Sequence, residues 1–207
     1  MNQPAEPRSV LETRLTHETH RRASALLAEA ASSPSADPEA LTHLRDFLVA
    51  TLHHHHESED HILWPLIEAT APGSSAPLVA LGEEHGELER KLRVLAEVPV
   101  PAAEPRDALA EAARDVRDLV HRHLEHEEPV LFPALREHLT AEQWDEFSLQ
   151  VVTTTPPVGA LLMIGFVNEF ATQQELDAMM SGLPATVLEM APAMAAEAAK
   201  VLAAVRG

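Results

Sequence analysis

The stretch HHHHESEDHILWP at residues 53–65 returns, altered, as HRHLEHEEPVLFP at residues 121–133. The two copies match at His53/His121, His55/His123, Glu59/Glu127, Leu63/Leu131 and Pro65/Pro133. Asp60 faces Glu128, and Trp64 faces Phe132. Each copy therefore carries a histidine, a carboxylate four residues later, an apolar plug and a proline. A four-residue step puts imidazole and carboxylate on one face of an α-helix, so the repeat predicts two helices presenting the same pair of side chains. Four consecutive histidines resemble an affinity tag, but these sit internally and in register with a second motif.

Working outward, Ser9-Val-Leu-Glu12 has the form of a capping box and predicts a first helix from near Val10 to about Ala31. Asp37-Pro38 supplies an N-cap and a proline at the first helical position of a second helix, which runs to about Ala69. A loop at 70–76 leads to a third helix ending near Glu97. The connector VPVPAAEP at 98–105 leads to a fourth helix ending near His138, whose last turns Pro129 and Pro133 should bend or loosen. Thr140-Ala-Glu-Gln143 opens a short helix to about Gln150, and Pro156-Pro157 breaks the chain after VVTTT. Beyond lie an apolar helix near 158–170, a piece opened by Thr172-Gln-Gln-Glu175, and an Ala/Met-rich helix from about Pro184 to Ala204.

The expectation is an all-α, up-down-up-down four-helix bundle over residues 1–147 that carries the site. A helical extension over 148–207 packs on the bundle, covers a substrate entrance or forms a homodimer interface. Met163, Met179, Met180, Met190 and Met194 lie in that extension, and methionine surfaces adapt to irregular partners.

Composition narrows the function. Apolar residues make up 45% of the 207-residue chain, aromatics only 3%, and tyrosine is absent, which suits a Leu/Ala/Val-filled bundle. A formal charge of −18 disfavours nucleic-acid backbones and anionic membranes as partners. The absence of cysteine excludes disulfides, thiolate chemistry and Cys-ligated metal sites. The N-terminus lacks a signal-peptide layout, and the longest apolar run, Val158 to Val167, is roughly half the ~20 residues that span a bilayer. A soluble cytoplasmic protein is expected.

Periodicity selects among the histidines. The second helix has apolar positions at Leu41, Leu44, Leu48 and Leu52 that resume at Ile62 and Leu66, and His55 and Glu59 fill the gap. On the fourth helix Leu109, Ala112, Val116 and Leu119 lead to His123 and Glu127, with Val130 and Ala134 continuing the line. The third reads Leu78, Leu81, His85, Leu88, Leu92 and Leu95, with Glu89 flanking the stripe one turn after His85. On the first helix, both His17 and His20 can face the interior. By the same reading His53, His54, His56, His61, His121 and His126 lie on solvated or outer faces, and His43 and His138 on the surface.

A buried carboxylate is costly unless paired or coordinated, so imidazoles and carboxylates that interrupt three core stripes point to a bound cation. Imidazole and carboxylate without thiolate suit iron, manganese or zinc. A dinuclear site uses all these donors. The Glu-x-x-His pairs of ferritin-like bundles are absent.

The chain resembles the hemerythrin-like, HHE cation-binding family over roughly residues 10–147. The resemblance rests on His17 in LTHETHRR, His55 to Glu59 before ILWP, His85 in EEHGEL, and His123 to Glu127 before VLFP. It implies two non-haem, oxo- or hydroxo-bridged iron ions held by His17, His55, Glu59, His85, Glu89, His123 and Glu127, with Glu59 and Glu127 bridging. His17 is preferred over His20 on this basis alone. Family members bind dioxygen, sense oxygen, iron or redox state, or react with peroxide or nitric oxide. In oxygen-carrying members the third helix has two histidines four apart, and the fourth an Asp five residues after its histidine. Here the third helix has His85 and Glu89 and the fourth His123 and Glu127; a carboxylate in place of a neutral imidazole adds negative charge, which favours the ferric state over reversible carriage.

The leading expectation is a diiron protein that reacts with dioxygen, peroxide or nitric oxide in stress response or sensing. A diiron peroxidase or catalase-like enzyme and a metal- or oxygen-sensing module that binds a partner are the alternatives. Without tyrosine or cysteine, any redox step falls to the metal.

Overall fold

The structure, a computed structural model, describes residues 6–73, 75–102 and 105–207. Residues 1–5, residue 74 of the 70–76 loop and residues 103–104 of the 98–105 connector lie outside the described residues, as does that part of the N-terminal reading. Helices account for nearly all of the rest, and no strand occurs among the described residues. α1 spans Arg8–Ala30 and α2 spans Pro38–Ser58. A π-helical turn, Glu59–Leu63, joins α2 to α3, Trp64–Thr70. α4 is Ser75–Glu97 and α5 is Asp107–His138.

Local signals mostly hold. Asp37 caps α2 by accepting the Ala40 N–H at 2.9 Å, and Pro38 occupies the first turn, where its missing N–H is harmless. The Ser9/Glu12 capping box does not form, since α1 starts directly after Pro7 and no side chain caps it. Glu12 is claimed elsewhere: it accepts from Arg8 at 2.6 Å and from the Trp144 indole at 2.8 Å. α5 runs unbroken through Pro129 and Pro133. Both prolines are exposed, so their rings sit on the solvent side while Leu131 and Leu135, on the other, anchor the helix.

The stripes shift by one residue past the histidines. Leu63 and Ile67 are buried, not Ile62 and Leu66, and Leu131 and Leu135 are buried, not Val130 and Ala134. In both rods burial continues in four-residue steps from the glutamate, Glu59 to Leu63 and Ile67 and Glu127 to Leu131 and Leu135. In the second rod the turn there is also π-helical, with the Trp64 N–H bonded to the Glu59 carbonyl five residues back.

α1 packs against α2 and α5, and α4 against the same two. The four rods thus enclose one interior, filled by two apolar clusters. The larger contains Leu48, Leu52, Leu88, Leu119 and Leu124, and the smaller Leu63, Trp64, Leu81 and Leu131. Along both α2 and α5 the histidine and glutamate positions fall between residues of these clusters. A polar layer is therefore sealed above and below by leucine.

The C-terminal part forms α6, Ala141–Thr154; α7, Pro157–Phe170; α8, Gln173–Met180; and α9, Ala185–Arg206. Thr140 and Thr172 make the two expected capping boxes, with Gln143 and Glu175. α7 and α9 lie on α2 and add Leu162, Phe166, Leu202 and Val205 to the larger cluster, with Phe166 stacked 5.9 Å from Phe47. Polar ties reinforce this: Arg14 pairs with Glu175 at 2.6 Å, and the Asp37 N–H donates to the Ala204 carbonyl at 3.0 Å. No single helix among the described residues is long and apolar enough to cross a membrane. α6 and α7 together reach that length and composition, but the chain bends by 118° between them.

α7 and α9 approach closely at Gly165, where an added Cβ would lie 2.5 Å from the Cβ of Ala198. Alanine in a helix interior is normally worth about 1 kcal/mol over glycine, but here the overlap must be relieved by moving backbone. Gly165→Ala should therefore destabilise the protein by about 1–2 kcal/mol net, read from urea unfolding. A gain in stability would show that α7 and α9 are not in this contact.

Candidate metal centre

The rods bring together residues distant in sequence. His17 comes from α1, His55, His56 and Glu59 from α2 and its π-helical turn, His85 from α4, and His123 and Glu127 from α5. All are buried except His55, whose side chain is 13% exposed. Their donor atoms fall into two groups, each with its atoms within 4.8 Å of one another: His56, His85 and His123, and His17, His55, Glu59 and Glu127.

The two carboxylates tie the groups together. Glu59 Oε1 lies 3.4 Å from His55 Nε2, and its Oε2 lies 3.7 Å from His85 Nε2. Glu127 Oε2 lies 3.5 Å from His17 Nε2 and 3.4 Å from His123 Nε2. Each carboxylate thus touches one imidazole of either group.

Outer carboxylates fix the ring orientations. Asp60 lies 3.0 Å from His85 Nδ1, Glu84 3.0 Å from His123 Nδ1, and Glu128 3.1 Å from His17 Nδ1. A carboxylate in that place holds the ring proton on Nδ1 and leaves Nε2 with its lone pair turned inward. His85 Nε2 and His123 Nε2 face each other across the interior at 3.2 Å. His17 Nε2, His55 Nε2, both nitrogens of His56 and both oxygens of Glu59 and of Glu127 have no hydrogen-bond partner. So many buried, convergent and unsatisfied acceptors are expensive, and a cation between them satisfies the whole set at once. The donor set fits bound metal.

The electrostatics agree. Burial, then the neighbouring Glu127, pushes the Glu59 carboxyl well above the usual range. Glu127 is held low against its burial by His17 and His123. Burial, reinforced by neighbouring imidazoles, drives His20 and His55 well below their ordinary value, and His85 below it too. His123 is raised despite its burial, by Glu127 and Glu84.

Six of the seven residues expected to hold metal converge here. Glu89 joins neither group: it binds His53 at 3.0 Å, and its other oxygen is 3.8 Å from His56, too far for a hydrogen bond. His56 corrects the sequence reading. Periodicity places it on a solvated or outer face, yet it is 2% exposed and stacks 4.3 Å from His85. Adjacent residues diverge by roughly 100° on a helix, so His55 and His56 straddle the interior, each facing one group. Asp60 and Glu128 were also missed as braces. The signal was present: they occupy the same place in the two motif copies. His20 is fully buried 5.0 Å from the His55 ring, and both its nitrogens lack partners.

Residues 12–143 match the family described as Hemerythrin HHE cation binding domain. No curated protein and no solved structure matches the chain.

In the metal-free chain, burial holds the His56 imidazole down to about 4 from 6.5. Between these values the unfolded chain takes up a proton that the folded chain refuses. The resulting stability is complete above pH 6.5 and is lost as the pH falls, by about 3 kcal/mol at pH 4. His56→Gln removes this dependence. Its urea-unfolding free energy should drop by about 3 kcal/mol less than that of the unmodified chain between pH 7 and pH 4, and equal drops would contradict the burial of a neutral His56.

Proposed function

We propose that this chain, which belongs to the hemerythrin HHE cation-binding family, holds two iron ions in its polar layer and reacts there with a small oxidant. Dioxygen, peroxide and nitric oxide are the candidates, in stress response or sensing. The observation that carries this reading is the position of Glu59 and Glu127, each between an imidazole of one donor group and an imidazole of the other. His56, His85 and His123 would hold one ion and His17 and His55 the second, with both carboxylates shared. Iron bound there supplies the redox electrons and Lewis acidity that no side chain of this chain can.

The protein's own groups prepare that site. Asp60, Glu84 and Glu128 keep a proton on Nδ1 of His85, His123 and His17 and so aim the three Nε2 lone pairs inward. Leu52, Leu88 and Leu119 on one side, and Leu63, Trp64 and Leu131 on the other, exclude water and raise the strength of every charge interaction in the layer. The two glutamates offset cationic charge without a counter-ion from solvent. The His17/His55 half has two imidazoles against three in the other, which leaves it the room for an incoming molecule.

The same reading makes the four rods an up-down-up-down bundle, supported by the short connections and the mutual contacts of α1, α2, α4 and α5. Residues 1–147 then form the metal-holding unit and 148–207 its extension.

Metal analysis of aerobically purified protein should find two irons per chain. His56→Ala should retain about one, and Glu127→Ala should retain neither firmly. Asp60→Asn and Glu128→Gln should weaken iron binding by about 10–100-fold through lost ring orientation. Zinc alone, or full iron content in Glu127→Ala, would refute the two-iron reading. Oxygen evolution on adding hydrogen peroxide would mark turnover, as against simple binding.

A further inference from the structure

The C-terminal helices do more than pack. Between them and the α1/α2 face lies a cavity of about 250 Å³ whose inner wall includes His20, His55 and Glu59. The facing wall is built from the extension, by Met163, Ile164, Met179, Leu183 and Val187. A dry apolar cavity of about 150 Å³ already holds benzene, and one water occupies about 30 Å³. This space is therefore several times larger than a diatomic gas or hydrogen peroxide requires. Its methionines can adapt to the outline of an organic guest.

Most polar groups of the lining are already engaged. Glu12 accepts from Trp144 and Ser148 at 2.8 and 3.2 Å, and His54 pairs with Thr154 at 2.9 Å. His55 Nε2 and the Glu59 oxygens are also unpartnered but belong to the proposed metal site, which leaves His20, fully buried at the inner wall with neither ring nitrogen partnered. A buried imidazole left so is costly unless a guest completes it. A charged head finds no free partner of opposite sign: no lysine or arginine is among the lining residues, Glu12 is matched by Arg8 at 2.6 Å, and Glu59 belongs to the proposed metal site.

We propose that this cavity binds a neutral, largely apolar organic molecule of about benzyl-alcohol size or somewhat larger, with one oxygen hydrogen-bonded to His20 and that end turned to the His17/His55 half of the centre. This rests on the two-iron reading for what lies at the inner end, and names the class of molecule that reaches it. The binding itself can be measured apart from the metal.

The test is calorimetric titration of the iron-loaded full chain with benzyl alcohol and with its near-isostere ethylbenzene, with iron content and thermal unfolding recorded for every variant. Both probes should bind with Kd of about 1 mM or tighter. Ala160→Trp on α7 and Val187→Trp on α9 both place bulk in the cavity, and each should weaken both probes at least about tenfold with iron unchanged. His20→Leu should weaken benzyl alcohol about fivefold and leave ethylbenzene unaltered. Absence of binding to the unmodified chain, or binding that both tryptophan variants preserve, would overturn the site. Equal loss for the two probes in His20→Leu would overturn the role of His20. A chain that purifies without iron yet binds the probes in this pattern would sink the iron reading alone and leave the cavity's ligand standing.

Discussion

The interior of this bundle contains a layer that apolar packing cannot account for. Two carboxylates and five imidazoles occupy one cross-section, with most of their inward atoms unpartnered. Leaving such atoms buried and unsatisfied costs kilocalories each, against a net folding stability of only about 5–15 kcal/mol for a typical domain. The rest of the structure is arranged around this cost. Leucines close the layer on both sides, outer carboxylates hold the rings, and the donor atoms converge in two groups within coordination reach of each other.

Much of this was legible in the sequence because a His-x-x-x-Glu pair is a local object. One helical turn fixes its geometry, and the repeat at 53–65 and 121–133 advertised it twice. The helix boundaries, two of the three capping boxes and the break at Pro156-Pro157 were equally local. What stayed hidden depended on neighbours. His56 could not be separated from His53 and His54 by periodicity, since a run of four identical residues samples every face of a helix. Periodicity also does not say whether a stripe continues by three residues or by four past a glutamate, and both rods bury the fourth, Leu63 and Leu131, in place of Ile62 and Val130. Glu12 left its expected cap for Trp144 and Ser148, partners more than a hundred residues away.

The extension shows the same limit from the other side. Its helices could be read from caps and prolines, but not what they face. α7 and α9 turn out to share the core of the bundle through Phe166 and Leu202, while Met163, Met179 and Leu183 face open space beside the polar layer. Met163 and Met179 do both, packing against the Leu11, Leu15 and Val167 cluster while lining that space, and Met190 is exposed, an arrangement no periodicity could disclose.

The paired acidic residues Glu59-Asp60 and Glu127-Glu128 have a mechanical consequence. In each pair the first side chain turns to the centre and the second reaches a histidine on a neighbouring helix, His85 for Asp60 and His17 for Glu128. A leucine-lined rod can roll about its own axis at modest cost, because one apolar contact resembles the next. Rolling either of these rods by one residue, about 100°, would drive one carboxylate into leucine and pull the other from its ring. The angular setting of both rods is therefore keyed by two consecutive side chains, and the bundle is held against torsion by the same residues that shape its chemistry.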